Sequence, residues 1–379
     1  MLRIGAVGTG FGVAVQVPAF QAVAGIEVVA IAARHQARAD EAAARLGVPM
    51  AFEGFEAMIA SPDVDAVYVG SPPSLHREIV VLACESGKHV LCEKPVGVCA
   101  ADATVMTDSV SSANAIGMVN FEFRYRPARR LLGSLIAGGI IGAPRSIHVV
   151  NNAGFLDNPR RGWNWWSVGR AGGGLVEAAG SHLLDAVVQW LGPISAVQAS
   201  LHTAIGRRLD ARTGEFRAVE TDDSFALTLD FESGAWGTIM GSGVMLGQPA
   251  TSVEIHGDQG VLRLTEPFTA AGRVEGDNAE TRIRVWRAGQ PGREGRGGQD
   301  EVVVPIPPEL EQDGSSYEPR LRLSALLARD FAAAVGGQTQ QYPSMADGLR
   351  IREVLDAVHE SSLTRRRVEV TPAPSRSPG

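Results

Sequence analysis

The chain of 379 residues carries 35 lysines and arginines against 42 aspartates and glutamates, a net charge of −7. Its hydrophobic fraction of 45% and charged fraction of 20% are those of an ordinary globular protein, which excludes general disorder. A mildly acidic chain without a basic block also lacks the electrostatic footprint of proteins that bind nucleic acid or an anionic membrane surface. At roughly 150 residues per domain, this length predicts two domains.

We expect a cytoplasmic protein with neither a membrane span nor a targeting segment. No run of about 18 apolar residues is present to cross a membrane. Residues 1–7 lead directly into a glycine-rich turn, without the apolar core and cleavage site of a signal peptide. The three cysteines are too few for a disulfide framework, and no Cys/His spacing resembles a zinc site. No metal, nucleic acid or membrane partner is therefore expected.

The first 120 residues alternate short apolar runs with helical segments, the pattern of βαβ units around a parallel sheet. The nearly continuous Val, Ile and Ala runs suit strands that are buried on both faces. The predicted strands span residues 4–7, 27–33, 64–69, 89–92 and 116–120. Helices are predicted at residues 40–46, 75–86 and 101–112.

Beyond about residue 124 the pattern changes to helices at 127–137 and 180–191, followed by runs that alternate apolar and polar residues. Two hairpins are predicted there, one joining 224–231 to 235–240 and one joining 252–256 to 261–264. These elements favour an α+β domain with an open, largely antiparallel sheet covered by helices on one face.

A glycine-rich turn follows the first predicted strand: Gly8-Thr9-Gly10-Phe11-Gly12. Glycines there let the chain turn tightly and let backbone amides approach a pyrophosphate, whose charge the following helix N-terminus favours. The G-x-G-x-x-G pattern is imperfect, because Val13 stands where Gly or Ala is usual. A G-x-G also serves as a plain turn, but its place at the first strand of a βαβ unit favours a dinucleotide site.

Two further segments carry residues suited to chemistry. Glu93-Lys94-Pro95 ends the fourth predicted strand, and ligands of open α/β sheets bind beyond the carboxyl ends of strands. An exposed surface lysine is the alternative interpretation of Lys94. His182 begins a predicted helix after three glycines, with Asp185 one turn further on, and a lone histidine in such a place is more often structural than catalytic.

Several segments occur in the order found in the glucose–fructose oxidoreductase / inositol dehydrogenase (Gfo/Idh/MocA) family, which the chain resembles from residue 1 to about 370. The Glu-Lys-Pro motif is the specific part. The others are the glycine-rich turn, residues 71–76 (SPPSLH), 123–127 (FRYRP) and 172–185. The resemblance implies a Rossmann domain that binds NAD or NADP and a C-terminal domain whose open sheet forms homodimers or homotetramers. It also implies sugars, cyclitols or related polyols as substrates.

By this resemblance Lys94 matches the active-site lysine and His182 the catalytic histidine. Positions that line the cofactor in the family match Ser71, Pro72, His76 and Glu93. Members with the fullest catalytic set carry an aspartate four residues before the histidine, where this chain has Ala178. Glu177 is adjacent, but neighbouring residues project differently, so we do not expect it to substitute.

The resemblance predicts hydride transfer between nicotinamide and a hydroxyl or ketone, with Lys94 and His182 handling the proton. A histidine suits this because it titrates near neutral pH. Substrate contacts are predicted for Asn120, Arg124, Trp163 and Asp185. Two alternatives stay open: a dihydrodiol-dehydrogenase-like enzyme acting on a non-sugar carbonyl or diol, and a catalytically weak NAD(P)-binding redox sensor that Ala178 permits.

Arg34 bears on the choice of cofactor. NAD enzymes generally carry Asp or Glu at the end of the second strand, but here Arg34 and His35 follow it, with no acid until Asp40. The Arg34 guanidinium can pair with a 2′-phosphate and stack on the adenine, which predicts NADP as the preferred cofactor and NAD as the alternative. If Arg34 only covers the adenine ring, the protein would bind NAD equally well.

We place the Rossmann domain at residues 1–123 and the substrate-binding and oligomerisation domain at 124–371. A late helix at 346–362 is predicted to pack back on the Rossmann domain. A polar Gly/Arg loop at 288–300 and a tail at 372–379 are expected to be mobile and disordered, respectively.

Overall fold

A computed structural model of the chain describes residues 1–247, 249–267, 281–287, 301–312, 317–318, 321–339 and 342–370. The loop predicted at 288–300 and the tail predicted at 372–379 lie outside the described residues. Within these ranges no helix has the length and apolar character needed to cross a membrane. The fold consists of an N-terminal parallel sheet and a larger C-terminal mixed sheet, which confirms the predicted fold class.

The N-terminal sheet has six parallel strands in the order β3-β2-β1-β4-β5-β6. The chain passes through β1 (Leu2–Val7), α1 (Phe11–Gln21), β2 (Ile26–Ala33), α2 (Gln36–Leu46), β3 (Met50–Glu53), α3 (Glu56–Ala60), β4 (Ala66–Val69), α4 (His76–Glu85), β5 (His89–Cys92), α5 (Ala100–Ser112) and β6 (Gly117–Val119). The strand order reverses between β1 and β4, and dinucleotides bind at this switch point in such sheets.

One edge strand was absent from the sequence prediction, which took residues 64–69 as the third strand. The third strand is β3, and residues 66–69 form β4. The β3 sequence, Met-Ala-Phe-Glu, has no β-branched residue and so carries little strand propensity. It becomes a strand because β2 pairs with it through residues 30–33.

The C-terminal sheet has nine described strands in the order β16-β15-β14-β13-β7-β12-β11-β8-β17. They are β7 (Pro144–Asn152), β8 (Ile194–His202), β11 (Ser224–Phe231), β12 (Trp236–Ser242), β13 (Ala250–Gly257), β14 (Gly260–Pro267), β15 (Arg282–Arg287), β16 (Val302–Val304) and β17 (Val368–Glu369), with β9 (Arg207–Asp210) and β10 (Glu215–Ala218) forming a separate hairpin. β7 and β12 run parallel, whereas the other described neighbours are antiparallel. The sheet is therefore largely antiparallel, as expected.

One face of this sheet packs against three helices, α6 (Pro127–Ala137), α7 (Ser181–Leu191) and α10 (Met345–Thr364). The chain also forms α8 (Pro308–Gln312), which contacts α6, and α9 (Arg322–Val335). α6 begins at a proline, which is preorganised for the first helical position. α10 begins with a capping box between Ser344 and Asp347. On the opposite face of the sheet Val150, Trp236 and Met240 remain exposed.

Two late helices return to the N-terminal sheet. α9 packs on α1, and its Phe331 is buried in the same apolar cluster as Val17 and Phe20. α10 contacts α5 and β6 as well as β8, and the amide of Val119 donates to the carbonyl of Pro343 just before α10. The elements after residue 321 therefore join the two sheets.

Candidate active site

The glycine-rich turn leaves a cradle at the start of α1. Gly8 has φ +115°, and a Cβ there would lie 2.7 Å from the carbonyl oxygen of Gly70. Gly10 is the N-cap of α1 with no side-chain cap, and a Cβ on it would meet open space. The first helical turn carries no acidic residue. Uncapped amides at a helix N-terminus suit a pyrophosphate, so the residues present fit a dinucleotide.

Val13, the departure from the glycine pattern, is fully buried. Its Cγ2 lies 3.5 Å from the position a Cβ on Gly8 would take and 3.0 Å from that on Gly70. Because Gly8 and Gly70 have no side chains, they leave room for the valine side chain at position 13.

His76 lies beneath the loops that follow β4 and β5. Its Nε2 is 2.9 Å from the carbonyl oxygen of Ser71, and its Nδ1 is 3.1 Å from that of Pro95. The side chain is fully buried, and this burial lowers its pKa. His76 therefore joins the two loops, and its predicted contact with the cofactor stays a prediction. Ser71 and Pro72 lie in the first of these loops.

Lys94 follows β5 and reaches across to the turn before α7. Its Nζ donates a hydrogen bond of 2.7 Å to the carbonyl oxygen of Ala178. A short π-helical turn at Val176–Gly180 presents this carbonyl, and α7 begins directly after it. The contact brings the predicted lysine to the same turn as the predicted histidine.

His182 lies in the first turn of α7 and is buried. Its ring stacks on Phe123 with centroids 4.1 Å apart, and Phe121 meets it edge-on at 6.1 Å. Burial, reinforced by the charges of Lys94 and two arginines, holds the pKa of His182 well below its usual value. The prediction that His182 titrates near neutral pH is therefore wrong, and the imidazole is neutral.

Glu93 and Asn120 meet where β5 and β6 end. The Glu93 Oε1 accepts hydrogen bonds of 2.6 Å from the Tyr68 hydroxyl and from the Asn120 Nδ2. The Asn120 Oδ1 is buried and has no partner among the described residues. Their predicted contacts with cofactor and substrate stay predictions.

Glu122 follows β6 at the same edge, and the sequence favoured a surface or packing role for it over a contact with ligand. Its side chain is 20% exposed, and its Oε2 is buried without a hydrogen-bond partner in the described chain. Burial, together with the nearby Glu93 charge, raises the pKa of Glu122 to about 7. The sequence feature that could have indicated a role for Glu122 is its position directly after a parallel strand, because ligands bind beyond the carboxyl ends of such strands.

Arg124 and Asp185 form a buried ion pair, with the Arg124 Nε 2.9 Å from the Asp185 Oδ2. The Arg124 Nη1 also lies 3.2 Å from the Oδ2 of Asp347 at the start of α10. The two predicted substrate residues thus neutralise each other. The pair joins the segment after β6 to α7 and α10, and the predicted contacts of both residues with substrate stay predictions.

Glu177 faces away from His182. Its carboxylate receives hydrogen bonds of 2.6 and 2.9 Å from the Arg352 guanidinium and lies 2.7 Å from the His359 Nε2. These contacts hold the Glu177 carboxylate on α10, and the expectation that it does not substitute for a carboxylate at position 178 stays a prediction.

The remaining predicted residues lie further along the chain. The Trp163 Nε1 donates to the carbonyl oxygen of Ala218, and the Arg217 guanidinium covers its ring at 3.5 Å. Trp163 thus packs on the β9–β10 hairpin, and its predicted substrate contact stays untested. Arg34 follows β2 and is exposed. Across the described ranges no group of three His, Cys, Asp or Glu residues is arranged to hold a metal ion.

Comparison with known proteins agrees with this geometry. A model of the oxidoreductase family with an NAD-binding Rossmann fold matches residues 2–121, and a GFO/IDH/MocA C-terminal domain matches residues 130–263. The 1,5-anhydro-D-fructose reductase of Ensifer adhaerens is 30% identical over 72% of this chain and 85% of its own. The trans-1,2-dihydrobenzene-1,2-diol dehydrogenase of Bos taurus is 31% identical over 64% of this chain and 67% of its own.

A solved structure of levoglucosan dehydrogenase in complex with NADH and L-sorbose superposes with a TM-score of 0.85 at 27% identity. The match covers 98% of this chain and 99% of that one. The chain belongs to the Gfo/Idh/MocA family of NAD-binding oxidoreductases, which confirms the resemblance read from the sequence.

Proposed function

We propose that this protein is an NAD(P)-dependent dehydrogenase or reductase acting on a hydroxyl or ketone of a sugar, cyclitol or related polyol. The observation that carries the proposal is the hydrogen bond from Lys94 Nζ to the Ala178 carbonyl, which fixes an amine at the carboxyl edge of the sheet beside His182. The glycine cradle at the start of α1 opens at the same edge.

The bound nicotinamide supplies the hydride chemistry. Lys94 takes the proton of the substrate hydroxyl at Nζ, or donates it to the carbonyl oxygen in the reverse direction. Neutral His182 offers one N–H donor and one acceptor nitrogen to the same region. Phe121 and Phe123 cover its ring and exclude water from that side.

The substrate class rests on relatives whose names refer to levoglucosan and 1,5-anhydro-D-fructose. The bovine dihydrodiol dehydrogenase supports a second candidate, a non-sugar diol. We would assay levoglucosan, 1,5-anhydro-D-fructose, D-xylose and trans-1,2-dihydrobenzene-1,2-diol with NAD(H) and NADP(H) at 340 nm. Turnover of a sugar supports the proposal. Tight cofactor binding without any turnover would favour the redox sensor instead.

NADP is proposed as the preferred cofactor because Arg34 is exposed at the end of β2. Arg34→Ala is expected to weaken NADP binding by about 10- to 100-fold, the value of a charge-assisted hydrogen bond, and to weaken NAD much less. Calorimetric titration with both cofactors measures this, with Arg38→Ala on α2 as the control. Equal losses for both cofactors would mean that Arg34 only stacks on adenine.

We propose that the protein forms a homodimer or homotetramer through the uncovered face of the C-terminal sheet. Met240 and Val150 are exposed neighbours on β12 and β7, and Trp236 lies on the same strand as Met240. Contiguous apolar residues on a sheet face are typical of association surfaces. Light scattering is expected to give two or four chain masses, and Met240→Glu to lower that number, whereas Leu363→Glu on α10 should leave it unchanged. A wild-type monomer at micromolar concentration refutes this proposal.

A cytoplasmic location is part of the proposal. Cys84, Cys92 and Cys99 are all free thiols, as is usual for proteins of a reducing compartment. Polyols and carbonyl compounds are the proposed partners, without nucleic acid or membrane.

A further inference from the structure

His182 and Glu122 each carry a buried polar atom without a hydrogen-bond partner among the described residues. The His182 Nδ1 is buried and has no partner among the described residues, and its Nε2 lies 3.8 Å from the Glu122 Oε2. That carboxylate oxygen is itself buried and accepts no hydrogen bond from the part of the chain that the structure describes. Buried polar atoms are normally paired, so a buried, unpaired carboxylate oxygen 3.8 Å from the His182 Nε2 indicates a functional rather than a stabilising arrangement.

The other carboxylates near this point are committed elsewhere. Glu93 accepts hydrogen bonds from Tyr68 and Asn120, and Glu177 is held by Arg352. Position 178 has only a methyl side chain, and its carbonyl is occupied by Lys94. Glu122 is therefore the carboxylate left to serve His182.

We propose that Glu122 is the proton-exchange partner of His182, acting through Nε2 during the redox reaction. This inference rests on the proposed dehydrogenase function. Oxidation of a secondary alcohol leaves one proton after the hydride has gone to the cofactor. The substrate O–H bond breaks as Lys94 Nζ takes the proton, and Lys94 returns to its neutral form by passing a proton to the unpaired His182 Nδ1. The His182 Nε2–H bond then breaks as its proton goes to the Glu122 carboxylate. Reduction returns it by the same route. The exposed edge of Glu122 then exchanges it with water.

The electrostatic surroundings suit this role. With a pKa raised to about 7 by burial, Glu122 is present in both protonation states near neutral pH, which is optimal for a group that accepts and releases a proton. Charged and titratable groups from several neighbouring elements act on this pair: Tyr68, Glu93, Lys94, Arg126, Arg129 and, through its ion pairs with both arginines, Glu266.

The test compares Glu122→Gln with Glu27→Gln, which makes the same change at the exposed amino end of β2. In the oxidation direction, wild-type kcat should fall below about pH 7 as Glu122 becomes protonated. Glu122→Gln should lose this acidic limb and lower kcat at pH 8 by about 10- to 100-fold, with substrate KM changed by less than about threefold. Glu122→Asp, which keeps a titratable group, should retain part of the limb, and Glu27→Gln should match wild type.

A second readout needs no turnover. In cofactor-free protein labelled with ¹⁵N-histidine, the ring signals of His182, assigned with His182→Asn, should shift with an apparent pKa near 7 that reports Glu122. This shift should disappear in Glu122→Gln. An unchanged shift and pH profile in a folded Glu122→Gln variant would overturn the inference. If no substrate is turned over by wild type, the proposed function fails while the titration still decides whether the two groups are coupled.

Discussion

Lys94→Ala is expected to lower kcat by at least about 10²-fold, the lower end of what a general acid–base group contributes. The Lys94 amine is fixed at 2.7 Å on the Ala178 carbonyl, and in the proposed mechanism it exchanges the substrate proton. Affinity for the cofactor should fall much less, because the glycine cradle lies on separate elements. Steady-state kinetics at 340 nm and calorimetric cofactor titration measure the two effects separately.

Lys88 offers a matched control, since it is the other lysine of the chain. Its Nζ donates to the carbonyl oxygens of Ser61 and Val64, at the opposite end of β5 from Lys94. Lys88→Ala should therefore reduce stability without changing kcat. A Lys94→Ala variant that lost cofactor binding but kept kcat would disprove the catalytic role.

The carboxyl ends of β4, β5 and β6 are the part of the site that sequence reasoning predicts best. Apolar runs predict these strands to within about two residues, and parallel strands bring their carboxyl ends to one edge. The placement of Lys94 and Glu93 at this edge follows from the motif and the local pattern alone. Glu122 lies at the same edge because it follows β6, but it belongs to no motif that would have indicated a role in the site.

Elements that depend on distant partners were harder to predict. The α9 segment has the apolar spacing of a helix, with Leu327 and Phe331 four residues apart, yet no element was assigned there. Its position against α1 depends on packing between residues about 310 positions apart in the chain. Spacing within a segment cannot reveal such a partner.

The pKa of His182 likewise depends on distant parts of the chain and could not be predicted from the sequence. A histidine taken by residue type titrates near neutral pH. Here Phe121 and Phe123 enclose the ring and Lys94 adds a like charge, so the neutral form is favoured. Similarly, Arg124 and Asp185 have the chemistry of substrate ligands, but the fold places them 2.9 Å apart and pairs them. Residue types alone do not determine which polar groups face each other.

The ion pair between Arg352 and Glu177 holds the turn that carries the Ala178 carbonyl. Arg352 is fully buried in α10 and bonds both oxygens of Glu177, and its Nε reaches Asp356 at 2.9 Å. Asp356 in turn accepts a hydrogen bond from the Ala100 amide at the start of α5. One network thus joins α10, α5 and the turn that positions Lys94.

Arg352→Met is expected to lower the free energy of unfolding by about 3–5 kcal/mol, because it leaves the Glu177 carboxylate buried without its main partner. Replacing both residues, as in Glu177→Leu with Arg352→Met, should cost less than the single change. Urea denaturation of the three proteins measures these differences.

The stability that Arg352→Met loses should also depend on pH, and the electrostatics of the ion pair determine the direction. Burial alone would raise the pKa of Glu177, but Arg352 and His359 hold it below its usual value. In wild type the ion pair therefore stabilises the fold at pH values above the unfolded pKa of the carboxyl. This stabilisation is lost only in acid, as pH falls through the folded pKa. Without Arg352, burial is expected to raise the pKa of this carboxyl, so the variant loses stability as pH rises above the unfolded pKa. The difference from wild type should therefore be larger at pH 8 than at pH 5. A loss below about 1 kcal/mol, or one that is equal at both pH values, would show that the pair does not hold the turn.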